Sequence, residues 1–547
     1  MPSAVRLAAL FFGGNNLKTV LFALNGSYSH TSLAVRAIGA CLQDAGVETR
    51  IVEHSLKDTR LRVLEALCKE RADVYGFSVY IWNVTEMLQY ASELKALLPH
   101  CVTVFGGPEV SFENESFFER YPFVDHIIAG EGEDAFPALC KDLAAGKKIP
   151  KIIMAEPYRR FTESGIYYDT VGATPHGLVY YESVRGCPFS CAYCLSSVTQ
   201  GIRAKAVQRT LDDLKRFEAF DDIRTVKLVD RTFNFDRERA KEIWRALLGD
   251  GYTKEYHFEV SAALLDEESF LLLENVPKGK FRLEIGVQST NPDTVSAISR
   301  RLDTEKTLLA LRRLNEKKNL HLHADLIAGL PLEDYASFAR SFDDVYGICD
   351  VLQLGFLKLL RGSRMRAEAE RYGIRYSPAP PYTVLATDHI SFEELMRLHE
   401  IDELNDRFSN SGKFGYTFPW LAKISGSPFR FFEGLSDFAK SHFGVREIAW
   451  LAQADAFRLL WEYASSLGTV PMEELRERLA LDFLLGETRR LPPFLHTDTV
   501  RDEESRAYLS RIPAAERAAC TVVRFPWLSE NPVTVNRIRR EILYHNR

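Results

Sequence analysis

The chain has 547 residues, of which 46% are hydrophobic and 26% are charged, and its formal net charge is −6. A chain of this length suits about three or four domains with buried cores, and this composition excludes a disordered or fibrous protein. The acidic balance argues against general nucleic-acid binding through a large basic surface, and no run approaches the ~20 apolar residues of a membrane helix.

The first part of the chain alternates between strand-like and helix-like segments. Residues 1–17 precede the first predicted strand, and we expect them to form a leader. The predicted strands lie at 18–25, 47–54, 72–80, 101–107 and 124–133, and the predicted helices at 31–45, 61–69 and 85–98. This alternation predicts a doubly wound parallel sheet over residues 18–145. The polar residues 146–177 have no sustained period and are expected to form a linker.

A second series of strands follows over residues 178–375. Its predicted strands lie at 178–184, 225–230, 256–262, 281–289, 321–331 and 351–360, with helical patterns between them. Six such strands predict a partial (β/α)6 barrel, in which functional residues lie at the carboxyl ends of the strands. The expected fold class is therefore α/β through residue 375.

The character of the sequence changes at the proline-rich connector SPAPPY, and we expect a mainly helical C-terminal domain over residues 376–547. Four of its aromatic side chains are expected to pack in a core, the alternative being that they line a substrate cavity: Tyr382, Tyr416, Phe418 and Trp420. The basic tail NRIRREILYHNR is expected to be a solvated helix face, the alternative being a nucleic-acid contact.

Three of the nine cysteines share one short segment, RGCPFSCAYC, at residues 185–194. They are Cys187, Cys191 and Cys194, and the other six are scattered singly, which indicates a reducing, cytoplasmic compartment rather than a disulfide framework. Three thiolates on one loop can hold three corners of an iron–sulfur cluster. Structural zinc, the alternative, needs four ligands, and no second group of cysteine or histidine follows.

The spacing C-x3-C-x-aromatic-C resembles the motif of the radical SAM superfamily. The resemblance implies a [4Fe-4S] cluster on these cysteines, with an open iron that binds S-adenosylmethionine (SAM), and an external electron donor of flavodoxin or ferredoxin type. The implied SAM contacts lie on this loop and near the strand ends of the barrel: Tyr193, Asp230, Glu259, Glu284, Gln288 and Asp325. For each carboxylate the alternative is a surface or salt-bridged residue.

The segments VFGGPEVS and VDHIIAGEGE resemble the cobalamin-binding domain of B12-dependent radical SAM enzymes, and the C-terminal part resembles an uncharacterised helical extension, DUF4080. The resemblance implies cobalamin contacts where ligands bind such sheets, at the strand ends: His30, Ser78, Gly106, Gly107, Gly130 and Glu131. His30 is the candidate lower ligand of cobalt, the alternative being a loop histidine near the corrin. For the Gly-Gly pair the alternative is a tight turn.

The resemblance as a whole implies a radical C-methyltransferase that acts on an unactivated carbon. The alternative is a cobalamin-dependent radical enzyme that catalyses a rearrangement or cyclisation without methylation. A methylthiotransferase would need a second cluster in the N-terminal domain, where four cysteines are scattered: Cys41, Cys68, Cys101 and Cys140. A non-enzymatic cobalamin sensor is the remaining alternative. The sequence names neither catalytic residues nor a substrate, which could be a lipid, a natural-product intermediate, a peptide or a nucleotide.

Overall fold

The computed structural model of the protein describes residues 17–113, 116–167, 177–198, 201–444, 451–486, 491–496, 500 and 502–545. Apart from Leu17, the predicted leader lies outside these ranges. Within them, no helix has both the length and the apolar character needed to cross a membrane.

The first sheet has six parallel strands in the spatial order β2-β1-β3-β4-β5-β6. The strands are β1 Lys18–Asn25, β2 Glu48–Ser55, β3 Val74–Ser78, β4 Val102–Gly106, β5 His126–Ala129 and β6 Ile152–Met154. The helices are α1 Leu33–Asp44, α2 Arg60–Glu70, α3 Val84–Leu97, α4 Phe117–Arg120 and α5 Gly132–Ala144.

Helices cover both faces of this sheet. Side chains of α2 and α3 pack on one face and side chains of α1 and α5 on the other, so the six central residues of β1 are all buried. A strand buried on both faces needs a continuous apolar run, which LFAL in β1 provides. The expected linker contributes β6, which extends the sheet by one strand.

The second sheet also has six parallel strands, in the order β14-β13-β12-β11-β10-β7. Its strands are β7 Leu178–Tyr181, β10 Thr225–Leu228, β11 Glu255–Glu259, β12 Phe281–Gln288, β13 His321–Ala328 and β14 Val351–Phe356, with a short antiparallel pair of β8 Val184–Arg185 and β9 Arg203–Ala204. The helices are α6 Val207–Phe217, α7 Arg237–Leu247, α8 Glu267–Glu274, α9 Pro292–Ala297, α10 Thr304–Glu316 and α11 Tyr335–Val345.

Burial alternates along these strands: in both β12 and β13, every second residue is buried and the residues between them are partly exposed. One face packs on the helices, and the opposite, concave face carries polar and charged side chains. This period of two is what a sheet with a single apolar face requires. The sheet therefore forms the partial barrel predicted from the sequence.

The C-terminal part is mainly helical, as predicted. After α12 Arg364–Ala367 and the hairpin of β15 Arg375–Tyr376 and β16 Val384–Ala386, the helices are α13 Phe392–Asn405, α14 Phe418–Ser425, α15 Pro428–Phe443, α16 Gln453–Ser466, α17 Met472–Gly486, α18 Asp502–Ser510 and α19 Ala514–Arg517. An antiparallel sheet follows, with β17 Cys520–Val523, β18 Val533–Asn536 and β19 Glu541–Tyr544.

Two expectations for this part have clear outcomes. The prediction of a helix in the basic tail was wrong for residues 536–544, which form the end of β18, a turn and β19. The last two residues of the tail lie outside the described ranges. The expectation of core packing is confirmed for Tyr382 and Phe418, which are 1% and 0% exposed. Trp420 packs against the same core, and Tyr416 is 37% exposed beside Trp527.

Side chains from the C-terminal part cover the free edge of β14. Asn405 at the end of α13 donates a hydrogen bond to the carbonyl of Leu352, and Asn410 both donates to that carbonyl and accepts from the Leu352 amide. These bonds satisfy backbone groups that an edge strand leaves unpaired. The stacking of His399 on Phe356 adds to the contact at the carboxyl end of the same strand.

Candidate functional site

A cavity of about 770 Å³ lies between the carboxyl ends of the first sheet and the start of the partial barrel. The N-terminal domain contributes five of the six predicted cobalamin contacts to its lining: Ser78, Gly106, Gly107, Gly130 and Glu131. The barrel contributes residues that flank the cysteines, among them Arg185, Gly186 and Leu195. The cavity therefore extends from the predicted cobalamin contacts to the ends of the cysteine segment, whereas the three cysteines and the predicted SAM contacts are not among the residues that line it.

The three clustered cysteines lie on one loop, residues 185–194, which we call the cysteine loop. Its backbone is fixed to the barrel at Ala192, whose amide donates to the Ile298 carbonyl at 2.9 Å and whose carbonyl accepts from the Met365 amide at 2.9 Å. All three thiols are free. Among the described residues, no group of three histidine, cysteine or carboxylate side chains is arranged to hold a single metal ion.

A positive charge lies next to the cysteine loop. Arg300 donates from Nη1 to Cys191 Sγ at 3.8 Å and to the Tyr193 hydroxyl at 3.4 Å. Burial raises the pKa of the Cys191 thiol, and the Arg300 charge opposes that shift by favouring the thiolate. The donor set of three thiols beside a cation fits an anionic iron–sulfur cluster.

Ion pairs connect the cysteine loop to the first domain. Arg185 donates to Glu131 at 2.6 Å, to Glu133 at 2.5 Å and to Glu182 at 2.9 Å. Arg203 also donates to Glu131, and both guanidinium groups lie over the ring of Phe161. Although burial opposes it, the two arginines hold the pKa of Glu131 below its usual range. The Glu131 carboxylate is thus engaged in the domain contact.

The concave face carries four of the predicted SAM contacts. Although burial opposes it, the hydrogen bond from His257 and the charge of Lys227, which donates at 2.8 Å, lower the pKa of Glu284 to about 2. Burial raises the pKa of both Glu259 and Asp325 to about 7. Gln288, at the end of β12, has a buried Oε1 with no hydrogen-bond partner in the described part of the chain.

These concave-face groups suit a ligand that brings its own positive charge and hydroxyl groups. A buried carboxylate with a raised pKa lacks a compensating cation, and an unpaired amide oxygen lacks a donor. The amino group and ribose hydroxyls of SAM would supply both. Which atoms of a bound ligand each residue contacts stays a prediction.

Asp230 occupies a different position from the other predicted SAM contacts. It is 0% exposed and accepts hydrogen bonds from the backbone amides of Ser183 and Val184 and from the Ser183 hydroxyl. Arg239 donates to that same hydroxyl. The carboxylate therefore lies behind the strand that leads into the cysteine loop, where it supports the loop indirectly.

The glycines at the end of the first sheet bring backbone close to backbone. Gly107 has a φ of +118°, and a Cβ there would lie 2.3 Å from the Val79 carbonyl oxygen. Only glycine tolerates both this positive φ and this close approach to Val79, and its lack of a side chain leaves the cavity wall flat. This wall fits a bulky planar group such as a corrin or its nucleotide tail. The two interpretations of Gly106 and Gly107, as a tight turn and as a ligand contact, are thus compatible.

His30 is the predicted cobalamin contact that does not line the cavity. It lies on the exposed loop after β1, where its amide donates to the Ser27 carbonyl and its ring meets that of Tyr180 at a centroid distance of 6.1 Å. This placement corresponds to the loop-histidine alternative. Ligation of cobalt by His30 stays a prediction.

Three functional candidates were missed from the sequence: Arg185, Arg203 and Arg300. Arg185 stands two residues before Cys187, and that adjacency was an available signal. Its partners Glu131 and Glu133 are 54 and 52 residues away, and Arg300 is 109 residues from Cys191. Pairings over such distances have no local sequence pattern.

Family models match three consecutive parts of the chain. A B12 binding domain model matches residues 20–140, a Radical SAM superfamily model matches residues 181–345, and a model described as a protein of unknown function (DUF4080) matches residues 370–524. The first matched range covers the first sheet from within β1 to β5, and the second covers β10 to β13 of the second sheet.

Similar proteins agree with these matches. The chain is 27% identical over 363 residues to the cobalamin-dependent radical SAM methyltransferase TokK of Streptomyces tokunonensis, covering 57% of this chain and 50% of TokK. It is 29% identical over 324 residues to the 2-(S-pantetheinyl)-carbapenam-3-carboxylate methyltransferase of Streptantibioticus cattleyicolor, covering 52% and 45%. The chain thus spans about half the length of these curated relatives.

The fold also occurs in a solved structure. The cobalamin-dependent SAM radical enzyme OxsB, with aqua-cobalamin and SAM bound, aligns at a TM-score of 0.57 and 16% identity, covering 83% of this chain and 79% of OxsB. The domain matches and the site chemistry identify the cofactors as cobalamin, SAM and a [4Fe-4S] cluster. In the order of its domain matches the chain is similar to cobalamin-dependent radical SAM enzymes, and a DUF4080 match follows its Radical SAM match.

Proposed function

We propose that the protein is a radical C-methyltransferase that methylates an unactivated carbon of its substrate. The observation that carries the proposal is the single cavity lined by both the glycine-rich strand ends of the B12-binding domain and the cysteine loop. When bound there, SAM and the cluster would supply radical hydrogen abstraction, and cobalamin would supply the methyl group.

The chain's own residues position these cofactors. Cys187, Cys191 and Cys194 hold the cluster, and the Arg300 guanidinium stabilises negative charge at Cys191. Glu259 and Asp325 offer carboxylates to the amino and hydroxyl groups of SAM. Arg185 holds the cysteine loop at the strand ends of the B12-binding domain, so that both cofactors face one substrate.

The scattered cysteines of the first domain argue against a methylthiotransferase. Cys101, Cys140 and Cys41 are buried in three different apolar clusters. Cys140 contacts the Thr19 hydroxyl and Cys41 donates to the Tyr158 hydroxyl. Side chains in separate clusters cannot jointly bind a second iron–sulfur cluster without unfolding the sheet around them.

The proposal is tested by counting the two products of SAM. The full-length chain is purified anaerobically, reconstituted with iron, sulfide and hydroxocobalamin, reduced with an external donor and supplied with SAM. A methyltransferase forms both S-adenosylhomocysteine, from remethylation of reduced cobalamin, and 5′-deoxyadenosine. Release of 5′-deoxyadenosine without S-adenosylhomocysteine overturns methyl transfer and favours a rearrangement or cyclisation.

A further inference from the structure

The DUF4080 segment touches the wall of the cavity at one place. Tyr382 is 1% exposed, and its hydroxyl donates a hydrogen bond to Glu109 Oε1 in the loop after β4. Arg361 donates from Nε to the Tyr382 hydroxyl at 2.9 Å and lies 3.2 Å from the same Glu109 oxygen. The phenol and the guanidinium therefore share one buried carboxylate.

Further contacts fix the same loop, residues 107–113, which we call the 107–113 loop. Arg366 pairs with Glu113 at 3.1 Å and lies over the Tyr382 ring at 4.7 Å. The ring of Phe112 packs on the backbone of Gly362, where a Cβ would come within 2.5 Å of the ring. Residues 361–382 thus contact the loop through hydrogen bonds, ion pairs and ring packing.

The 107–113 loop is part of the cofactor cavity. Gly107, Pro108, Ser111 and Phe112 line it, whereas Glu109 points away into the contact with Tyr382. Across the cavity, the strand end that carries Glu131 is held by Arg185 and Arg203. The two loops that bound the cavity are therefore attached by two separate sets of residues, one of which comes from beyond the barrel.

We propose that Tyr382 is a positioning residue, through which the DUF4080 segment holds the 107–113 loop in the conformation that forms the cobalamin-facing wall. The argument rests on the B12-binding domain and not on methyl transfer. A hydrogen bond from a phenol to a buried, ion-paired carboxylate is stronger than a neutral one. Its loss weakens the loop locally, because the Tyr382 ring still packs under Arg366.

The test compares three single variants and one double variant of the full-length chain. Tyr382→Phe removes only the hydroxyl, and Glu109→Gln changes its partner. Tyr376→Phe is the matched control, because Tyr376 also lies under Arg366, at 5.4 Å, and no hydrogen bond to its hydroxyl occurs among the described residues. Amide hydrogen exchange of residues 107–113 is measured without cobalamin, and hydroxocobalamin binding is measured by absorbance titration.

We expect Tyr382→Phe to speed exchange in the 107–113 loop by about tenfold, since a hydrogen bond to a charged group changes local opening by at least that factor. We expect the dissociation constant for hydroxocobalamin to rise by roughly three- to tenfold. Iron content should stay at the wild-type value. Glu109→Gln should have a similar effect, and adding it to Tyr382→Phe should produce little further change.

Two results would overturn the proposal. One is exchange in the 107–113 loop that is equal in Tyr382→Phe and wild type. The other is faster exchange across the whole chain, or an equal effect of Tyr376→Phe, since either would mark Tyr382 as an ordinary core residue. Because neither readout depends on turnover, a failure to detect S-adenosylhomocysteine would not affect this result.

Discussion

The two six-stranded sheets have the same strand number and the same parallel direction, but they use their faces differently. In the first sheet, helices cover both faces and the interior of β1 is entirely buried. In the second sheet, alternate residues of β12 and β13 face a concave surface with carboxylates and histidines. The first sheet can bind a ligand only at its strand ends, whereas the second offers a whole face.

This difference predicts different consequences for substitutions. In the first domain, strand residues contribute to stability and loop residues contribute to binding. In the second domain, one strand contributes to both, because its inward and outward residues alternate. The following four predictions test that contrast.

The largest effect is expected in the cysteine loop. Cys191→Ala removes one of three thiolate ligands and should lower iron content by roughly tenfold or more, with no detectable 5′-deoxyadenosine. Cys68→Ala is the control, since this free cysteine packs beside the core of the first domain. Iron analysis after anaerobic reconstitution measures both, and an iron-free Cys68→Ala variant would contradict the assignment of the cluster.

A truncation inside the first sheet should cost the most stability. Phe22 is 0% exposed and packs edge-on against Phe77 and Tyr90, so Phe22→Ala should destabilise the domain by about 3–5 kcal/mol. Ile327→Ala on the concave face of β13, where the side chain is only partly buried, should cost clearly less. Urea denaturation followed by circular dichroism measures both, and equal costs would refute the contrast between the sheets.

The contact between the two domains should depend on Arg185. Its side chain is 13% exposed and Glu133 is 6% exposed, so Arg185→Ala leaves a buried carboxylate unpaired and should cost about 3 kcal/mol. Arg313→Ala is the control: Arg313 also makes several ion pairs, but its side chain is 33% exposed and that of its partner Glu267 is 69% exposed. We expect that change to stay within about 1 kcal/mol. Equal costs would show that the Arg185 contacts add nothing beyond a surface pair.

The smallest effect is a pH dependence of stability that has opposite signs at two concave-face carboxylates. Burial raises the pKa of Asp325 from 3.8 to about 7, so this group's contribution to stability falls as pH rises from about 4 through 7. The free energy of unfolding of Asp325→Asn, compared with that of wild type, should therefore be roughly 1–2 kcal/mol more favourable at pH 8 than at pH 5.

Glu284 should behave in the opposite way. Its pKa is lowered from 4.5 to about 2 despite burial, by His257 and Lys227, so its contribution is present above pH 4.5 and is lost as pH falls toward 2. Glu284→Gln should be less stable than wild type by roughly 1–2 kcal/mol at pH 7, with the difference vanishing in acid. Parallel pH profiles for the two variants would contradict these assignments.

Most strands of both sheets were predictable because each is an apolar or alternating run bounded by loop residues. β6 was missed, since a run of only four apolar residues between Lys151 and Glu156 gives too short a signal. The basic tail was misread because its charges lie on a turn and on edge strand β19, where the period of a helix is absent. Local patterns thus predicted the strands of the two parallel sheets apart from β6, and they missed α5 and misread the basic tail.

The candidate site divides in the same way. The cysteines and the strand-end glycines belong to contiguous motifs and were identified. The contacts of Arg203 and Tyr382 with carboxylates were not predicted, because their partners Glu131 and Glu109 are 72 and 273 residues away in the sequence. Asp230 was predicted as a SAM contact, which stays a prediction, and its carboxylate accepts hydrogen bonds from the backbone amides of Ser183 and Val184. A strand-end position alone does not specify on which side of a loop a side chain lies.

The amide side chains along β14 have a consequence for how the domains can be separated. Asn405 and Asn410 occupy the backbone groups of Leu352 that a seventh strand would use. A fragment that ends after the radical SAM domain would expose this edge and could recruit the same strand of a second copy, as uncovered sheet edges do. The DUF4080 segment therefore covers an edge that the radical SAM domain alone would expose, so the two are best expressed together.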